Sequence, residues 1–125
     1  MPFRVDEDAA LRIVRVTLQG VFDKPEIEKM VTSAREASGR NGWNILYDMR
    51  GAEPGKMSPA EVFWFPRQHP SLQAASAATV RVASLHQPKH STVATFWENA
   101  FRNAGLQARA FTDEPAALEW LADAK

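Results

Sequence analysis

TVRVASLH, QPKHSTVATFWENAFRNAG, LQARAF and TDEPAALEWL follow one another from Thr79 to Leu121, and the hydrophobic period changes from two to helical and back at each boundary. The pattern reads strand, helix, strand, helix. Val80, Val82 and Ser84 alternate with Arg81, Ala83 and Leu85, so both faces are largely apolar, as in a strand covered on each side. In the next segment Val93, Trp97, Ala100, Phe101 and Ala104 recur at helical spacing with Phe96 beside them, while Thr95, Glu98, Asn99 and Arg102 take the opposite side. This aromatic face is expected to be core, and Gly105 to end the helix. Leu106, Ala108 and Ala110 alternate with Gln107 and Arg109, which suits a half-polar strand near a sheet edge. Thr112 or Asp113 caps a last helix that tolerates Pro115 in its first turn.

Working outward, Phe3 to Glu7 and Leu11 to Leu18 read as a hairpin of two strands. Asp23-Lys24-Pro25-Glu26 is a capping box opening a helix with Ile27, Met30, Val31 and Ala34 inward and Gly39 as its stop. Trp43 to Met49 is a brief apolar strand. It leads into a loop, Arg50 to Met57, rich in glycine and proline. Ser58-Pro59-Ala60-Glu61 is a second capping box, starting a helix that Pro66 should end or kink. The expected product is one α/β domain over residues 1–125. It has a five-stranded mixed β-sheet, with strands near 3–7, 11–18, 43–49, 80–86 and 106–111, packed with about four helices.

Composition limits the function classes. The 15 basic and 15 acidic side chains cancel without a run of either sign, which gives no electrostatic case for nucleic acid or an anionic membrane. No apolar run approaches the roughly 20 residues of a transmembrane segment, and the first residues lack the apolar core of a signal peptide, so a cytoplasmic location is expected. With no cysteine, disulfides, thiolate nucleophiles and Cys-based zinc sites are excluded. No phosphate-binding glycine loop or nucleophile elbow occurs, and no cofactor is implied.

The TVRVASL strand, the ILYDMRG strand and loop, and FWENAFRNAGLQARAFTDEPAALEWL together resemble the SpoIIAA-like group of the STAS and SEC14-like families, whose members are mostly uncharacterised bacterial proteins. The resemblance implies the five-stranded mixed sheet and says little about activity. Anti-sigma-factor antagonists of the wider superfamily carry a phosphorylatable serine in an Asp-Ser-Ser-Gly type loop. Here that loop reads Asp48-Met49-Arg50-Gly51. The switch serine is missing, and Ser58 is better explained as a helix cap.

In such sheets ligands bind beyond the carboxyl ends of the parallel strands, near helix N-termini. The candidate ligand-binding residues there are Asp48, Arg50, Ser58, His86, His90, Ser91 and Thr112, with Lys89 in the same loops. Asp48 and Arg50 are expected to pair. His86 and His90 are separated by Pro88 and lack a third ligand, so they read as solvated loop histidines and not a metal set. His69 reads as a surface residue. Two functions from different classes remain. One is a non-catalytic module that binds a small apolar or anionic ligand or a protein partner. The other is a small enzyme using Asp48 with His86 or His90 as acid–base groups. Whether these side chains share an enclosed pocket decides between them.

Val62-Phe63-Trp64-Phe65 adds a constraint. Successive helical residues turn by about 100°, so at least one of Phe63, Trp64 and Phe65 must point away from the sheet. The surplus ring is either covered by a neighbouring loop or offered to a partner. A homodimer is the favoured functional option.

Overall fold

Consecutive buried residues, Ile13 with Val14, Ile45 with Leu46 and Val82 with Ala83, mark a sheet covered on both faces in the computed structural model, which describes residues 3–55 and 57–123. The strands are β1 (Phe3–Asp8), β2 (Ile13–Phe22), β3 (Asn44–Pro54), β4 (Arg81–Leu85) and β5 (Gln107–Phe111). They lie in the order β1-β2-β3-β4-β5; β1 is antiparallel to β2 and all other neighbours are parallel. The helices are α1 (Lys24–Asn41), α2 (Pro59–Gln68), the single turn α3 (Pro70–Gln73), α4 (Ser91–Asn103) and α5 (Glu114–Ala122). The five-stranded mixed sheet and single α/β domain expected from sequence are the architecture observed.

Each crossover advances by one strand in the same direction, so right-handed connections put their helices on one face. Val14, Val16 and Leu18 of β2, with Ile45 and Tyr47 of β3 and Val82 of β4, bury against Met30, Val31 and Ala34 of α1, Phe65 of α2 and Leu72 of α3. Trp97 and Phe101 of α4 pack on the same cluster. The opposite face is covered by α5, whose Ala117 and Leu121 pack with Ile13, Leu46, Ala83 and Leu85. Among the described residues no helix is long and apolar enough to cross a membrane.

Both capping boxes form. Glu26 Oε1 accepts from the Asp23 amide at 3.1 Å. Ser58 Oγ accepts from the Glu61 amide at 3.2 Å while Glu61 Oε1 accepts from the Ser58 amide at 2.9 Å. Asp113, not Thr112, caps α5, accepting from the Ala116 amide at 3.0 Å.

Several boundaries depart from the local pattern. Leu11 lies in the β1–β2 turn and is exposed, with Arg12 at φ 55° behind it, and β2 begins at Ile13. The residues expected as an irregular loop continue β3 to Pro54, because Gly51 to Pro54 pair with Gln19 to Phe22 beyond a bulge in β2. Gly55 then has to be glycine: a Cβ there would sit 1.8 Å from the Phe22 carbonyl oxygen. Helix α1 runs past Gly39 and stops at Gly42, which takes the left-handed conformation at φ 70° and donates to the Ser38 carbonyl. Gly39 has helical neighbours on both sides and no turn to demand its freedom. Pro66 does not end α2, which continues to Gln68; burial of its ring offsets the backbone hydrogen bond it cannot make.

Candidate functional site

Strand β4 sets the site. Its alternation places Arg81, Ala83 and Leu85 under α5 and Val82 and Ser84 under α4. The next residue in that series, His86, prolongs the strand: its amide donates to the Phe111 carbonyl at 3.0 Å. The chain then makes a 3-10 turn, Pro88–His90, directly into α4. Beneath α4 and beside α1 the sheet does not close on the helices. A cavity of about 310 Å³ remains, within the range of roughly 300–1,000 Å³ typical of small-molecule pockets.

The floor of the cavity is Tyr47 and Met49 of β3, Val82 and Ser84 of β4, and Ala108 of β5. Ile27 and Met30 of α1 form one wall and Ala94, Trp97 and Phe101 of α4 the other, with Met57 at the start of the α2 region. Methionine side chains are unbranched and polarisable, so they adapt to guests of different shape. Trp97 meets Phe65 edge-on at 5.7 Å and Phe101 at 6.1 Å between centroids. The α4 aromatic face expected as plain core is therefore partly cavity wall. Val93 and Phe96 line the same space and are partly exposed, at 41% and 37%; they were expected to face inward. Burial pushes the Tyr47 hydroxyl up to about 12, so it stays protonated at neutral pH.

Polar groups gather at one corner: His86, His90, Glu53 and Glu98. His86 is buried, 7% exposed, and not the solvated loop residue expected. Its Nε2 lies 3.3 Å from Ser91 Oγ, and Ser91 Oγ in turn donates to the Pro88 carbonyl at 2.8 Å. Burial, with a smaller contribution from His90, lowers the His86 pKa; Glu98 opposes this. His90 Nε2 sits 3.2 Å from Glu53 Oε2, which Lys89 approaches at 3.8 Å. Glu98 does not lie on the wet face as its position in the helix suggests. It reaches the sheet edge, where Oε2 accepts from the Ala110 amide at 2.6 Å.

Asp48 and Arg50 belong to the other face. Arg50 donates to both oxygens of Asp48, Nε to Oδ1 at 2.9 Å and Nη2 to Oδ2 at 2.8 Å. Its Nη2 also reaches Glu114 Oε1 at 2.9 Å, and Arg15 reaches Glu114 Oε2 at 3.2 Å. The Arg50 hydrogen bonds hold the Asp48 carboxyl below its usual range, and Asp48 raises Arg50. This network ties β2 and β3 to the first turn of α5. Ser58 is a cap, and Thr112 is exposed beside Asp113. Of the candidate residues, then, His86, His90 and Ser91 converge, whereas the sheet separates Asp48 and Arg50 from them. His69 is also buried, 7% exposed, with Nε2 near Thr32 Oγ1 and the Glu28 carbonyl, each at 3.2 Å, and Nδ1 near Ser71 Oγ at 2.8 Å. Its position between α1 and α2 makes it a structural link. Among the described residues no three His, Cys, Asp or Glu side chains cluster closely enough to hold a metal ion.

Met30, Trp97 and Glu98 were expected as buried or water-facing helix residues, and neither they nor Met49 and Met57 were candidates for the site. The signal that could have found the floor is the inward series Ile45, Tyr47, Met49, which carries a polar ring and an adaptable side chain towards the strand end.

No curated protein matches the chain. Among solved structures it is similar to an uncharacterized protein with a SpoIIAA-like fold from Shewanella loihica PV-4, at 16% identity and a TM-score of 0.53, covering 95% of this chain and 91% of that one. That likeness carries the fold. The family model described as SpoIIAA-like matches residues 13–122, nearly the whole sheet and all five helices, and the chain belongs to the SpoIIAA-like family.

Proposed function

We propose that the protein is a non-catalytic binding module that encloses a small apolar molecule between the sheet and helices α1 and α4. The observation that carries this reading is the cavity of about 310 Å³, lined chiefly by aliphatic, methionine and aromatic side chains, with His86, His90, Glu53 and Glu98 grouped at one corner. A preformed apolar pocket of this kind gains free energy by removing ligand surface from water, at about 25 cal/mol per Å². The enzyme alternative loses its geometric support, since Asp48 is bound by Arg50 on the α5 face and is out of reach of His86 and His90. General acid–base work needs its groups within hydrogen-bond distance of one reacting centre.

The test is uptake of an environment-sensitive apolar dye, followed by its emission. The wild type should bind it with blue-shifted emission, and Ala108→Phe, which places a ring in the floor of the cavity, should abolish uptake while leaving the circular dichroism spectrum and melting transition in place. Dye binding that survives Ala108→Phe unchanged removes the cavity as the site.

A further inference from the structure

We propose that the molecule held in this cavity carries a carbonyl-type oxygen, and that the Tyr47 hydroxyl on the cavity floor donates its hydrogen to that oxygen. This rests on the cavity reading and sharpens it to a ligand class. Tyr47 lies in the middle of the sheet, between Val16 of β2 and Ser84 of β4, and is 7% exposed beneath the helices. A phenol buried this far usually finds a partner for its O–H. The Tyr47 hydroxyl has no hydrogen bond to any of the described residues. Nor is it sealed in: the unpartnered polar atoms that are closed off completely among the described residues are Arg35 Nε, Arg35 Nη2 and His86 Nδ1. The hydroxyl therefore keeps open surface, and the space that Tyr47 lines is the cavity. Ser84, its register neighbour on β4, brings a second hydroxyl to the same floor, which is likewise open and without a partner among the described residues.

A hydroxyl can accept as well as donate, so the charges around the pair select what it meets. The cation acting on Tyr47 is Arg35 of α1: burial raises the phenol pKa, and the guanidinium pulls it back in part. Arg35 donates to the Ala77 carbonyl at 3.2 Å through Nη1, while its Nε and Nη2 have no partner, so no carboxylate among the described residues neutralises it. Its field favours a guest atom that is negative or rich in lone pairs and opposes an ammonium or an N–H donor. The carboxylates that would repel such an atom stand elsewhere. Glu53 is at the far end of β3, more than about 15 Å along the strand at about 3.3 Å per residue. Glu98 is turned to the Ala110 amide at the sheet edge, 2.6 Å away. The phenol stays protonated at neutral pH, so its hydrogen is there to give. A carbonyl oxygen, with two lone pairs and an apolar body behind it, suits both the hydroxyls of the floor and the walls above them.

The experiment is displacement of the apolar dye near neutral pH by four molecules of matched size: ethylbenzene, acetophenone, benzoate and benzylamine. Acetophenone is ethylbenzene with a carbonyl in place of a methylene, and benzoate offers the same acceptor with a charge. In Tyr47→Phe, acetophenone, benzoate or both should bind about fivefold more weakly, the size of one hydrogen bond. Ethylbenzene should be unchanged, which also shows that the variant is folded and its cavity open. A loss for acetophenone alone identifies a neutral ketone- or ester-type guest, and a loss for benzoate alone a carboxylate; either supports the acceptor. Tyr47 is the chain's one tyrosine, so a carbon label in the phenol ring reports on it alone. The carbon bearing the hydroxyl should shift further with acetophenone or benzoate than with ethylbenzene, a readout that does not depend on any variant folding. Equal losses for ethylbenzene and the oxygen ligands in the variant, no loss for either oxygen ligand, or benzylamine binding most tightly of the four overturns the head-group assignment while leaving the cavity reading standing. Failure of the dye itself to bind removes both.

Discussion

The two faces of the sheet close over their apolar residues in different ways. Under α5, Leu46, Ala83, Leu85 and Ala117 are fully buried, and the rim is locked by the Asp48, Arg50, Glu114 and Arg15 ion pairs. Under α1, α2 and α4 there are more helices, yet they splay around a cavity whose wall is part methionine and whose mouth leaves Val93 and Phe96 partly wet. The difference teaches where each face places its polar side chains. On the α5 face they pair with each other and hold a helix down. On the α4 face His86 pairs through Nε2 alone, and its buried Nδ1 has no hydrogen-bond partner among the described residues.

The comparison breaks first if the faces respond alike to truncation. Leu46→Ala, at a fully buried site with tightly packed neighbours, should cost about 3 kcal/mol, the transfer loss and the new void adding together. Met49→Ala, beside a void that already exists and at a half-buried position, should cost about 1 kcal/mol. Urea unfolding of both variants measures this, and equal losses would mean the α4 face is packed as closely as the other.

Acid titration separates the faces again, with a smaller effect. The Asp48 pKa is lowered in the folded protein, chiefly by Arg50. Its contribution is thus fully present above the unfolded value of about 3.9 and is lost as pH falls through the folded one. Asp48→Asn should cost about 1 kcal/mol at neutral pH, a partly exposed pair being screened by solvent. It should also flatten the loss of stability below pH of about 4 and leave dye affinity unchanged. A fall in dye affinity would join the two faces into one site and restore Asp48 and Arg50 as ligand residues.

His86 titrates in a different window. Its pKa is lowered by burial and by His90 against the pull of Glu98, so the folded state resists protonation. Stability should decline as pH drops below the unfolded value of about 6.5, and levels off once the folded group is protonated. His86→Phe should remove that slope with a change well under 1 kcal/mol at neutral pH. Thermal melts between mildly acidic and neutral pH measure it, and a slope that persists in the variant assigns the titration to another group.

How much of this was legible depended on the range of the forces involved. The strands of the C-terminal half, both capping boxes and the Asp48–Arg50 pair are set by neighbours in sequence, and they were readable there. Strand β3 beyond Arg50 was not, because Gly51 to Pro54 become strand only by pairing with residues some thirty positions earlier; locally, glycine and proline read as a loop. The burial of His69 and His86 and the turn of Glu98 towards Ala110 likewise depend on elements brought together by folding. The cavity is the extreme case. It is a space left between helices, and no residue encodes it alone.

The smallest effect on stability is expected at Trp64, and it bears on the expectation of a homodimer. The helical turn of α2 resolves the aromatic run: Phe65 is buried at 3%, Phe63 is half-buried under the Arg67 guanidinium at 4.3 Å, and Trp64 is the ring left 49% exposed. Trp64 meets Phe63 edge-on at 5.1 Å, so part of its surface is covered within the chain. Trp64→Ser removes mostly wet surface and should change the unfolding free energy by no more than about 0.5 kcal/mol. If copies of the protein associate through this ring, the wild type sediments as a dimer at micromolar concentration and Trp64→Ser as a folded monomer. A monomer in both cases leaves Trp64 as an ordinary exposed aromatic, since single apolar residues on a surface require no partner. A dimer in both moves the contact elsewhere, and the partly wet Val93 and Phe96 at the cavity mouth are then the residues to replace, with dye uptake measured alongside to learn whether association closes the cavity.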